Sequence, residues 1–204
     1  MRSLDVKKLE VENPAVARTP SVAAEPDQVD ASLEVWAREL PDLDLETEGI
    51  VERIHKLERH VDTTMRETLD AFDLSYGEYK LMMHLRYGGP PYRGKPGKLA
   101  KRLGLSTGAM TNRLDNMERR TLIRRLDDPE DRRGVIVELT DEGKLLWDRA
   151  VAAQAEKESV VATALDEAER RQLNELLRRL MNAFERHHGP LVHKDHARAE
   201  TITS

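Results

Sequence analysis

Between Leu99 and Thr140 the chain reads LAKRLGLSTGAMTNRLDNMERRTLIRRLDDPEDRRGVIVELT, a pattern of helix, turn, helix and hairpin. Leu99, Ala100 and Leu103 share one face of a short first helix, and Gly104 follows where a left-handed terminal residue costs least. Ser106 offers an oxygen to the free N–H groups of the next helix, in which Met110, Leu114 and Met117 recur at helical spacing and must face inward. The opposite face presents Thr107, Thr111, Asn112 and Arg113. These are short hydrogen-bonding groups with one guanidinium, the residue types that read base edges or grip phosphates. An ordinary amphipathic surface helix has the same spacing, so the helix by itself leaves both readings open.

The continuation favours DNA. Ile123 to Leu126 and Val135 to Leu139 are short β-prone runs on either side of DDPEDRRG, which predicts a two-stranded wing with a polar tip. Arg132 and Arg133 are expected at that tip, where long cationic side chains can enter a minor groove, with Asp131 near enough to orient a guanidinium. A solvated charge run is the alternative for such a loop in isolation.

The net charge of −5 taken alone argues against a polyanionic partner. The sign that matters is local. From Arg93 to Arg133 there are twelve Lys or Arg against six Asp or Glu, a net of +6 that leaves −11 for the remainder. With 39% apolar and only 4% aromatic residues the chain suits a helical fold with a modest core. The absence of cysteine excludes disulfides, thiolate metal sites and thiol-based peroxide sensing. No run approaches the roughly 20 apolar residues of a membrane span, and the opening MRSLDVKKLEVENPAV lacks the apolar centre of a signal peptide, so a cytoplasmic, non-membrane protein is expected. No nucleophile elbow, H-E-x-x-H or dinucleotide fingerprint occurs, which predicts a non-enzyme without a cofactor.

The flanks supply the organisation. Residues 1–28, with Pro14, Pro20 and Pro26 and no sustained periodicity, read as a disordered arm. Leu33, Trp36, Ala37 and Leu40 then mark a short amphipathic helix ended by Pro41. Ile50, Ile54, Leu57, Val61, Met65, Leu69 and Phe72 form the stripe of a long helix, too extensive for the small winged domain to bury, so a partner surface is required. Tyr79, Met82, Met83 and Leu85 line the next helix, and YGGPPYRGKPGK reads as a plain connector. After the wing, Thr140 caps a helix running to about Thr163. Asp166, with Glu169 placed for a capping box, starts another whose stripe is Leu173, Leu176, Leu177, Leu180, Met181 and Phe184. The expected layout is a domain over 29–187, in which 29–72 and 140–187 are dimerisation helices and 75–139 the winged helix-turn-helix, followed by a flexible tail over 188–204. His187, His188, His193, Asp195 and His196 lie near the end, but Gly189 and Pro190 break the helical frame, and no metal site is assigned.

The run DDPEDRRGVIVELTDEG, with its D-x-R before L-T at Asp131, Arg133, Leu139 and Thr140, resembles the winged helix-turn-helix of MarR-type transcriptional regulators. The resemblance implies a mainly α fold, a homodimer formed through the terminal helices, and the second motif helix in the major groove of a pseudo-palindromic duplex. It also implies insertion of Arg133 in the minor groove, with Asp131 holding it. Thr121 departs from the family's L-x-x-x-G-L-I, and because a β-branched residue at positive φ is costly, a differently built turn is expected there.

The W-x-x-E-L-P-D-L-D run from Trp36 further resembles the urate-responsive and PecS-like branch, which carries an extra N-terminal helix. That branch implies a ligand site made by a tryptophan, an aspartate and an arginine on the helix before the motif, and an arginine on the recognition helix. Trp36 and Arg113 match. Lys80 stands at the aspartate position and Tyr87 at the helix arginine, while Arg86 is turned away by roughly 100°. Lys80 in place of an acid implies a carboxylate or phenolate rather than urate, giving Trp36, Lys80 and Arg113 as candidate ligand residues. The expected function is thus a ligand-released repressor. The alternative is a helical dimer acting as a protein-interaction module or antirepressor.

Overall fold

The computed structural model describes residues 25–189. In order these form α1 (Gln28–Glu39), α2 (Leu45–Ala71), α3 (Tyr76–Tyr87), β1 (Arg93–Gly94), α4 (Pro96–Leu103), α5 (Thr107–Arg119), β2 (Ile123–Asp128), β3 (Asp131–Leu139), α6 (Asp141–Glu158), α7 (Val160–Ala164) and α8 (Glu167–His188). Nearly all of the expected arm and tail, with His193, Asp195 and His196, lies outside the described residues. Among those described, no helix is long and apolar enough to cross a membrane. The chain divides into two compact units, Met1–His55 and Lys56–Ser204, with the boundary inside the continuous helix α2.

In the first unit α1 is fixed at its start by a reciprocal box: Asp27 accepts from the Val29 and Asp30 N–H groups, and the Asp30 side chain accepts from the Asp27 N–H. Arg53, on α2, donates to Asp27 at 2.9 Å and to Asp30 at 2.7 Å. That guanidinium, with the helix N–H donors, holds the Asp27 carboxyl below its usual range. Trp36 lies on α1 and is 40% exposed.

The second unit holds the core. Leu81, Met82 and Leu85 of α3, Leu99, Ala100 and Leu103 of α4, and Met110, Leu114 and Met117 of α5 join Ile123, Val137 and Leu139 in one cluster. Each fully buried aliphatic side chain of this kind contributes about 1.5–3 kcal/mol. Gly104 ends α4 at φ 66° as its position predicts. Against α3 packs Trp147 of α6, whose ring stacks on Tyr79 at 6.0 Å, while Arg86 lies over that indole and pairs with Asp148 at 2.9 Å.

The sheet is larger than the sequence suggests. β2 and β3 reach to Asp128 and Asp131, leaving only Pro129 and Glu130 at the turn, and β1 joins the other edge of β3 to give the antiparallel order β1-β3-β2. The expected connector therefore contains a strand. Arg93 and Arg124 are the cross-strand neighbours of Glu138 in the two ladders. Both donate to its buried carboxylate, Arg124 Nε at 2.8 Å, so one acid ties all three strands. Burial would raise the Glu138 pKa, but the two guanidinium groups outweigh it and keep it lowered.

Thr140 caps α6 by accepting from the Gly143 N–H at 3.0 Å. The helix expected to run to Thr163 is interrupted at Ser159 and resumes as α7. Asp166 and Glu169 form the predicted capping box of α8. On α8, Leu173, Leu176, Leu177, Leu180, Met181 and Phe184 are all more than a third exposed, as are Ile50, Ile54, Leu57 and Val61 on α2.

Candidate nucleic-acid interface

The interface is built on α4, α5 and the β2–β3 hairpin. Ser106 accepts from the Ala109 N–H at 3.2 Å, so its first task is to cap α5. Thr107, Thr111 and Asn112 are exposed on the outer face of that helix, opposite buried Met110, Leu114 and Met117. The Thr111 hydroxyl donates to the Thr107 carbonyl at 3.0 Å, leaving its lone pairs outward.

Arg113 departs from the expected outward position. An ideal Cβ on Gly77 would fall 2.3 Å from its Cζ and Nη2, so the guanidinium lies flat against the first turn of α3 in the space that a side chain at 77 would fill. Its Nη1 is buried without a hydrogen-bond partner among the described residues. Lys80, three residues beyond Gly77 on the same helical face, is only 4% exposed, and its Nζ stands 5.1 Å from the Tyr76 ring centroid. The Arg113 guanidinium and the Lys80 ammonium thus lie against neighbouring residues, Gly77 and Tyr76, of the first turn of α3.

The wing also differs in detail. Arg132 and Arg133 are exposed at the start of β3 rather than at the tip, which is Pro129-Glu130. The Asp131 carboxylate accepts the Arg133 backbone N–H at 3.0 Å. It therefore shapes the turn by an Asx-type bond and does not hold the guanidinium as the family resemblance implies.

Sorting the cations by partner narrows the basic excess. Arg93 and Arg124 are committed to Glu138, Lys95 to Asp128 at 2.6 Å, Arg120 to Glu78 at 3.2 Å, and Arg125 to Asp115 and Glu118 at 2.6 and 2.5 Å. Arg119 donates to Asn116 at 3.0 Å. Among the described residues, Lys98, Lys101 and Arg102 of α4 and Arg132 and Arg133 of β3 have no acid partner, and all five are exposed. The three α4 cations were missed by a reading centred on the recognition helix; their signal was their position on the outer face of the first motif helix, which in such motifs crosses the backbone.

Glu78 was missed as well. It closes a capping box with Ser75, and its Oε1 accepts from Asn116 Nδ2 at 2.8 Å, so one buried carboxylate fixes the end of α5 to the start of α3. The S-x-x-E spacing in SYGE was the available clue.

Known proteins agree with this geometry. A model of the MarR family matches residues 74–135. Over 153 residues the chain is 30% identical to the HTH-type transcriptional regulator PecS of Dickeya dadantii, covering 75% of this chain and 92% of that protein. The chain belongs to the MarR family. As a MarR-family transcriptional regulator it has α4 and α5 as its helix-turn-helix and β2–β3 as its wing. Its fold is similar to the crystal structure of YusO from Bacillus subtilis, with a TM-score of 0.61 at 22% identity over 70% of this chain and 99% of that one. It is also similar to apo MarR from Escherichia coli, with a TM-score of 0.54 at 25% identity over 64% of this chain and 94% of that one.

Proposed function

We propose that the chain binds operator DNA as a homodimer and represses transcription until a small organic anion releases it. The observation that supports this best is the segregation of function on one surface. Exposed Thr107, Thr111 and Asn112 of α5 are flanked by cations on α4 and the wing that no acid neutralises among the described residues. In this reading α5 supplies base contacts, while Lys98, Lys101, Arg102, Arg132 and Arg133 grip phosphates or the minor groove. Two copies related by a dyad would address half-sites about 10 bp apart.

The anion is assigned to Lys80 and Arg113. A buried guanidinium nitrogen without a partner is costly, and a carboxylate or phenolate would satisfy it. Arg113 then responds to ligand on α5 itself, the element that reads DNA, so ligand and operator compete through differential affinity for two settings of one helix.

A band-shift titration on the DNA upstream of the protein's own coding region, across a salt series, tests the DNA reading. Saturable specific binding with steep salt dependence is expected. Shallow, unsaturable binding would instead support a protein-interaction module. For the anion, calorimetry with aromatic carboxylates should give heat that is lost in Arg113→Ala; no heat with any of them would refute the assignment.

A further inference from the structure

We propose that Arg120 and Glu78 form a joint that aims the recognition helix α5 from the end of α2, so that both are positioning residues for DNA binding rather than contacts to DNA. Arg120 caps the C-terminal end of α5. Its Nη2 donates to the Asp73 carbonyl at 2.6 Å and its Nη1 to Glu78 at 3.2 Å. Asp73 stands at φ 50° in the turn that closes α2, where the Leu74 N–H bonds to the Leu69 carbonyl at 2.9 Å. Glu78 is 4% exposed and gathers donors from both sides: the Ser75 N–H and hydroxyl, each at 2.9 Å, and Asn116 Nδ2 at 2.8 Å. One guanidinium and one carboxylate therefore connect the turn between α2 and α3 to the last turn of α5. The further contact of Arg120 with the Asp73 carboxylate, at 3.3 Å, adds little, because that side chain is 96% exposed.

The core attachment of α5 has no such direction. Met110, Leu114 and Met117 hold the helix by apolar packing, which resists separation but fixes roll and tilt only weakly. Charge-assisted hydrogen bonds fix both. A buried ion pair of this kind adds little stability over apolar packing of equal volume, so direction is what it supplies. The lever is long. With 13 residues, α5 extends about 20 Å, and a tilt of about 5° at the joint moves Thr107 by about 2 Å. A displacement of that size takes a base-reading side chain out of hydrogen-bond range. The consequence for DNA rests on the operator reading above, in which two half-sites are met at once. A loosely held α5 still binds DNA but no longer distinguishes the spacing of those half-sites.

Two measurements on the full chain test the joint, each comparing the parent with Glu78→Gln/Arg120→Met, which removes the ion pair without leaving a lone buried charge. For the first, spin labels are placed through Arg66→Cys on α2 and Thr107→Cys at the start of α5. The chain has no cysteine of its own, and dilution with excess unlabelled chain leaves only distances within one copy. A single narrow distance is expected with the joint intact and a broad distribution in the double variant, at a temperature where helix content is unchanged. An unchanged width would overturn the joint. No DNA is present, so this result stands apart from the operator reading. The second is a band-shift on operator duplexes with one base pair inserted or deleted between the half-sites. The parent should lose about tenfold in affinity and the double variant less than about threefold, with the salt slope unchanged. Equal weakening at every spacing would mean a merely structural role, and a salt slope lower by about 1 would make Arg120 a phosphate contact; either refutes the proposal. Should the double variant lose helix content, Arg120→Gln, with one amide in place of the fork, is read in the same way.

Discussion

Thr121 adopts φ 56° at the end of α5, with the Leu122 N–H bonded to the Met117 carbonyl and the Thr121 N–H to that of Glu118, both at 2.9 Å. This is the left-handed closure that glycine normally makes. The turn expected to be built differently therefore keeps its geometry and bears the strain of a β-branched residue, with the Thr140 hydroxyl donating to the Thr121 carbonyl at 2.6 Å to hold it. Thr121→Gly should relieve that strain and raise stability by about 1 kcal/mol, seen as a higher midpoint in thermal unfolding; an unchanged or lower midpoint would contradict it. Gly77 presents the converse case, because its missing side chain makes room for Arg113. In Gly77→Ala the new methyl meets only the movable end of a long side chain, and alanine favours the helix, so the fold should persist while the guanidinium is expelled. The expected result is loss of the calorimetric response to aromatic carboxylates with specific DNA binding retained. Neither fact was legible beforehand: Thr121 was visible as a departure from a family pattern, but a backbone angle is not written in one residue, and Arg113 shares its helical spacing with outward-facing Thr111 and Asn112.

At the scale of elements, the Lys95–Asp128 pair joins the start of α4 to the end of β2, beside the tip of the wing. The lysine, with the Glu130 N–H, holds the Asp128 carboxyl below the usual 3.8. A carboxylate whose folded pKa is depressed contributes stability above its unfolded pKa and loses it as pH falls through the folded value. The difference in thermal midpoint between the parent and Asp128→Asn should accordingly be present near neutrality and close progressively below about pH 4. A gap independent of pH would mean that the ion pair is not its source. Helices and caps were legible because they depend on local spacing: Ser106, Thr140 and Asp166 all cap where the sequence places them. The sheet was underestimated for the opposite reason. β1 is two residues long and exists only through pairing with β3, some forty positions away, and nothing near Arg93 announces that Glu138 will lie opposite.

For the molecule as a whole, electrostatics and apolar exposure make complementary demands. An acidic chain presents DNA with a small set of unneutralised cations, so affinity should depend on few phosphate contacts per copy and on having two copies in register. Replacing Lys98, Lys101 and Arg102 together by alanine should reduce the salt slope by about 2–3 per subunit while leaving sequence preference intact; Asn112→Ala should do the reverse. In the proposed homodimer, register in turn depends on the contact between the two copies. Leu177 and Leu180 are 40% and 37% exposed in the middle of the α8 stripe, where a second copy would bury them. Replacing both by glutamate adds charge to no buried position of the single chain, so helix content should remain. The variant should elute as a monomer with light-scattering mass near 23.3 kDa. Its operator affinity should fall far more than that of the α4 variant, because the second half-site is no longer held at high effective concentration. A fully dimeric Leu177→Glu/Leu180→Glu chain would move the subunit contact elsewhere and leave the α8 face to another partner.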